Sequence, residues 1–151
     1  MSKTNYSELI MQLRSLLEDE TDMTAALSNA SACLNEALDD INWVGFYLFK
    51  NGELVLGPFQ GKVACTRIPL GKGVCGNAAL SGHVQRVENV HQYPGHIACD
   101  SASNSEIVLP LIKNQMLQGV LDIDSTSFHR FSEKDEEGLK PIAELLAQLC
   151  F

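Results

Sequence analysis

Apolar residues repeat at helical spacing in the first 38 positions. Leu9, Ile10, Leu13, Leu16 and Leu17 follow the i, i+4, i+7, i+8 pattern, which predicts a helix over residues 5–19. Leu27, Ala30, Leu34 and Leu38 form a second stripe, and Asp22 or Thr21 is placed to cap that helix. Cys33 lies beside the stripe and reads as a small buried hydrophobe. The period then changes. Residues 43–49, WVGFYLF, are aromatic and β-branched, which predicts a strand. Asn51-Gly52 is a hairpin turn, and residues 53–56 return from it. By period-two alternation Trp43 and Tyr47 share a face, with Gly45 leaving room between the rings. A short strand over residues 65–70 runs into Gly71-Lys72-Gly73 and a short helix over 74–80. Another short strand is expected over 84–90.

Residues 91–105 are rich in small and polar types, cannot form a core, and read as a loop. Cys99 sits inside it, close to the apolar run SEIVLPLI. A thiol in a polar loop tied to a rigid strand is placed as a reagent. Residues 106–112 and 116–124 form a second hairpin about Asn114-Gln115. Asp122 and Asp124 fall on one face of its second strand, about 7 Å apart, where they suit a cationic group or proton transfer. Leu121 and Ile123 face the core. Ser132 caps a last helix whose inward residues are Leu139, Ile142, Leu146 and Leu149. Gly138 and Pro141 are expected to kink it or end it early, leaving Cys150 at a frayed end. Tight hairpins with flanking helices predict an α+β fold: an antiparallel sheet with helices packed against it.

Composition narrows the function. The 151 residues carry 11 basic against 19 acidic side chains, a net charge of −8. Nucleic acid or an anionic membrane would require a basic face, so neither is expected as a partner. There is no signal-peptide core and no apolar run near the ~20 residues of a membrane span, so a cytoplasmic protein of one domain over residues 1–151 is expected. In that compartment the cysteines 33, 65, 75, 99 and 150 stay reduced unless they perform redox work. They lack the C-x₂-C pairs of structural zinc, so no metal or cofactor is expected. Cys75 falls in the first turn of its helix, where unpaired amides and the helix dipole lower a thiol pKa. Carboxylates around Cys99, Asp100 among them, act the other way, so electrostatics alone favours Cys75 as the thiolate.

Four stretches, NWVGFYLF, GPFQGKVACTRIPLGKGVCG, NVHQYPGHIACDSASNSEIVLPL and GVLDIDS, resemble the free methionine-(R)-sulfoxide reductases, single-domain GAF proteins. The resemblance implies a six-stranded antiparallel sheet with helices on both sides. It implies reduction of free methionine-(R)-sulfoxide to methionine, with thioredoxin recycling the enzyme. Cys99 matches the family's nucleophile and Cys65 the thiol that resolves its sulfenic acid. Cys75 matches a third cysteine of less settled part. Glu106, Asp122 and Asp124 match the pocket carboxylates, and Trp43 and Tyr47 the aromatic wall. The chemistry agrees. A thiolate can attack the sulfoxide sulfur only as the oxygen is protonated, and clustered carboxyls keep a proton for that purpose. Their residual negative charge suits the α-ammonium of a free amino acid. Two alternatives stay open: a GAF-type sensor for a small ligand, and a thiol sensor that signals through a Cys65–Cys99 disulfide. The first two helices also make a homodimer plausible.

Overall fold

A computed structural model describes residues 4–96 and 102–151. Two amphipathic helices come first, α1 (Tyr6–Leu17) and α2 (Met23–Ala37). Asn5 and Asp22 cap them by accepting the backbone N–H of Glu8 and Ala25. On α1 the buried stripe is Leu9, Leu13 and Leu17; Leu16 faces outward, 44% exposed. It lies 100° round the helix from Leu17, too far to join a stripe with i, i+4, i+8 spacing.

Strands β1 (Trp43–Lys50) and β2 (Glu53–Gln60) follow, then β3 (Arg67–Pro69), α3 (Gly73–Ser81), β4 (Gln85–Val87), β5 (Ser105–Lys113), β6 (Met116–Ser125) and α4 (Glu133–Cys150). Asn51, Gly52, Asn114 and Gln115 all take positive φ. Both hairpins therefore turn with the twist their strands require. The return strand β2 runs four residues past the expected end. The expected strand at 84–90 keeps only three residues and ends in a 3₁₀ turn, Val90–Gln92.

Among the described residues the strands form one antiparallel sheet in the order β3-β2-β1-β6-β5-β4. The alternation of β1, β5 and β6 divides the molecule. Val44, Phe46, Leu48, Ile107, Leu109, Leu111, Leu121 and Ile123 face α1, α2 and α4 and build the main core. The other face, under α3, carries a smaller cluster that includes Trp43, Tyr47, Val74, Cys75, Val108 and Val120. Helices thus lie on both sides of the sheet, as expected.

Helix α4 runs unbroken through Pro141. Pro141 is on the exposed side, so the carbonyl it leaves without an intrahelical donor can be hydrated, which lowers the cost of an internal proline. Cys150 is not frayed: it is 5% exposed and belongs to the main core. Gly138 has a packing reason. A Cβ there would lie 2.2 Å from the Tyr6 ring. Tyr6 also donates to Asp135 Oδ1 at 2.6 Å, and Arg130 binds the other oxygen at 3.2 Å. The ring therefore cannot swing away without breaking a buried network. Gly138→Ala should destabilise the protein by about 1–3 kcal/mol despite alanine's better helix propensity, readable by urea denaturation.

Candidate active site

Cross-strand register assembles the polar site. Trp43 pairs with Asp124, which pairs on its other side with Glu106. One step along, Asp122 lies between Gly45 and Val108. All these side chains project toward α3. Trp43, Tyr47, Cys75, Glu106, Asp122 and Asp124 line one cavity, and each is less than 9% exposed. Six of the eight site residues expected from the sequence are thus brought together. Cys65 packs against the same cluster, and its sulfur is held in a disulfide, whereas Cys33, Cys75 and Cys150 are free thiols. Cys99 and Asp100 lie outside the described residues.

The aromatic wall does more than the alternation implied. Trp43 Nε1 donates to the Lys62 carbonyl at 3.1 Å, and Tyr47 Oη to the Cys65 carbonyl at 2.9 Å. The rings thereby pin the segment that carries Cys65 against the smaller cluster. The space expected beside Gly45 is occupied: Phe59 stacks on Trp43 with centroids 5.1 Å apart. A Cβ on Gly45 would sit 2.2 Å from the Phe59 Cβ, so the glycine permits strand contact.

Burial and mutual repulsion set the charge state. Burial and then Asp124 push the Asp122 carboxyl up to about 8. Burial and the Asp122 charge push Glu106 well above the ordinary carboxylate range. At neutral pH the coupled pair therefore holds at least one proton. The helix-terminus argument for Cys75 fails here. Burial first, then Asp122, Glu106 and Asp124, push its thiol well above its ordinary value. The dipole of a nine-residue helix is outweighed by desolvation and three carboxyls. Cys75 Sγ lies 3.9 Å from Glu106 Oε2, as a thiol beside a carboxyl.

Three further polar residues line the cavity: Lys72, His96 and Ser103. Lys72 occupies the N-cap position of α3 but makes no side-chain cap bond. The flanks of the Cys99 segment are anchored. Tyr93 is bound to Asn77 at 2.9 Å and Gln85 at 3.1 Å, and His91 Nε2 contacts Asn104 Oδ1 at 2.7 Å. Lys72 stood in the sequence only as part of the Gly71-Lys72-Gly73 turn, with no role assigned to its side chain. His96 and Ser103 carried no signal, because their place in the cavity lining depends on contacts distant in sequence and not on local pattern.

A GAF domain model matches residues 20–149. The chain is 57% identical to the free methionine-R-sulfoxide reductase of Escherichia coli over 150 residues, covering 99% of this chain and 89% of that protein. Among solved structures it is similar to fRMsr of Staphylococcus aureus in its reduced form, with a TM-score of 0.95 and 51% identity over 100% and 99% of the two chains. It is also similar to the free methionine-R-sulfoxide reductase of Neisseria meningitidis in complex with its substrate: TM-score 0.92, 47% identity, 96% and 87% coverage. The fold, the register that gathers three carboxyls under α3, and identity over nearly the whole chain agree: the chain belongs to the free methionine-(R)-sulfoxide reductase family of GAF-domain proteins.

Proposed function

We propose that the protein reduces free L-methionine-(R)-sulfoxide to methionine in the cavity beneath α3. The observation that carries this reading is a buried trio of carboxyls, one edge of which is an aromatic pair. In the proposed reaction the Cys99 thiolate attacks the sulfoxide sulfur. The Glu106–Asp122 pair delivers a proton to the oxygen as the S–O bond breaks. The hydroxyl so formed passes to Cys99 Sγ as the new bond between the two sulfurs breaks, so that methionine leaves and Cys99 is left as a sulfenic acid. The Cys65 thiol condenses with it, releasing water and closing a disulfide. A thioredoxin dithiol then reduces that disulfide by exchange and becomes oxidised itself. The disulfide at Cys65 is consistent with the oxidised end of this cycle.

Substrate selection follows from charge. A free amino acid carries an ammonium and a carboxylate, and a residue inside a peptide carries neither. Asp124 and its neighbours are placed to hold the ammonium. Lys72, with the amides at the start of α3, is placed to hold the carboxylate. Lys72→Ala should raise KM roughly tenfold and leave kcat within about twofold, the pattern of lost binding without lost chemistry. Sulfur–aromatic contact with Trp43 and Tyr47 would seat the methyl sulfoxide. A homodimer through α1 belongs to the same reading, since Met11 and Leu16 leave an apolar strip there, 69% and 44% exposed; sedimentation would read it. The decisive assay is thioredoxin-coupled turnover on the R and S epimers, each free and peptide-bound. Turnover of the free R epimer alone is expected. Nucleotide binding without turnover would instead mark the chain as a sensor.

A further inference from the structure

Cys75, Glu106 and Asp122 come from three elements, yet each offers a donor atom within 4.8 Å of the other two. All three are buried. A tetrahedral zinc site has Zn–S of about 2.3 Å and Zn–O of about 2.0–2.2 Å, so its donor–donor edges are about 3.3–3.8 Å. The Cys75 Sγ–Glu106 Oε2 separation of 3.9 Å is within a few tenths of an ångström of that edge. A second observation points to a ligand. Asp122 Oδ1 is buried and accepts no hydrogen bond, and Asp122 is only 5% exposed. A buried carboxylate oxygen left without a donor is a place where a cation can be accepted.

We propose that Cys75, Glu106 and Asp122 form a binding site for a thiophilic divalent cation of the zinc class, and that the bound ion blocks the substrate cavity. One sulfur and two oxygens fill three positions of a tetrahedron. The fourth opens into the cavity, for water or an incoming amino acid. The sulfur sets selectivity: Zn²⁺ and Cd²⁺ are preferred, and Mg²⁺ and Ca²⁺, which take oxygen ligands, are not. The thiol proton, and the proton that the Glu106–Asp122 pair holds at neutral pH, pass to the buffer when the bonds to the metal form. The sequence hid this site, because the three donors are spaced at 75, 106 and 122 rather than as a C-x₂-C pair. Binding stands on geometry alone; inhibition rests on the proposed reductase activity.

The test is a Cd²⁺ titration of the disulfide form, in which Cys65 is unavailable. The readout is the ultraviolet charge-transfer band of a cadmium thiolate. One equivalent should saturate the band. Cys75→Ser should abolish it, Cys33→Ser and Cys150→Ala should retain it, and Glu106→Gln should weaken the affinity at least tenfold. Zn²⁺ should displace Cd²⁺, and millimolar Mg²⁺ should not. In turnover, Zn²⁺ should raise the apparent KM for the sulfoxide. A missing band, a band that survives Cys75→Ser, or one unaffected by Glu106→Gln would overturn the site. If Cys75→Ser does not fold, the Glu106→Gln shift decides. A normal band in a protein without reductase turnover would leave the site standing and sink the activity instead.

Discussion

Replacing Cys99 by serine should lower turnover of free methionine-(R)-sulfoxide by a factor on the order of 10³ or more. The reaction takes two electrons from sulfur. A serine hydroxyl has none to give at this potential, and no other thiol is fit to substitute. At pH 7 a thiol with pKa 9 is about 1% ionised, and every further unit removes another factor of ten. Cys75 lies well above that value because burial and three carboxyls disfavour its thiolate. Cys75→Ser should therefore cost far less than Cys99→Ser, about tenfold or below. Single-turnover methionine formation by each variant, with no reductant present, separates nucleophile from resolving thiol. Cys65→Ser should still release one methionine per enzyme and then stop. If Cys99→Ser kept its burst while Cys75→Ser lost it, the assignment would be reversed.

Asp122→Asn should pull activity and stability in opposite directions. Activity should fall about 10²–10⁴-fold, because half of the proton-holding pair is gone and Asn cannot ionise or deliver a proton. Stability moves the other way. The carboxyl is raised from an ordinary 3.8 to about 8 in the folded protein, so the folded state holds a proton that the unfolded chain has already released. The contribution is fully present below about pH 4. It declines as pH rises through the interval and is gone above about 8. Asparagine resembles the protonated acid at every pH and escapes this decline. By pH 8 the variant should be more stable by at least about 1 kcal/mol, or roughly 2–4 °C in Tm, and the gap should vanish near pH 4. Scanning calorimetry of both proteins from pH 4 to 9 checks this. A constant gap would mean that folding does not shift the Asp122 pKa.

Local pattern carried most of the architecture. The Asp22 and Ser132 caps, the two turns and the inward residues of β6 were readable because each depends on neighbours within four positions. The errors came from contacts distant in sequence. Leu16 looked apolar enough for the core, but α1 has room for one stripe against α2 and α4. Pro141 looked like a stop, yet it faces water. Gly138 looked like a weak point, yet the Tyr6 ring from 132 positions earlier occupies its missing side chain. The site divided the same way. Asp122 and Asp124 could be placed on one face from strand period alone. That Glu106 and Trp43 are the cross-strand neighbours of Asp124 required register, which single-strand periodicity does not contain. The charge on Cys75 was misjudged because a helix terminus is visible in sequence, whereas three carboxyls converging from two other strands are not.

The parity of β6 also limits how this protein can change. Leu121 and Ile123 anchor the hydrophobic interior, while Asp122 and Asp124 line the cavity beneath α3. Exchanging one side chain leaves the neighbours' directions intact, so reactivity can drift by point replacement while the scaffold persists. Deleting or inserting one residue there would transpose the two sets, sending carboxyls into hydrocarbon and leucine into the cavity. Variation in this strand is therefore confined to substitution, and tolerated length changes should collect at the turns that flank it.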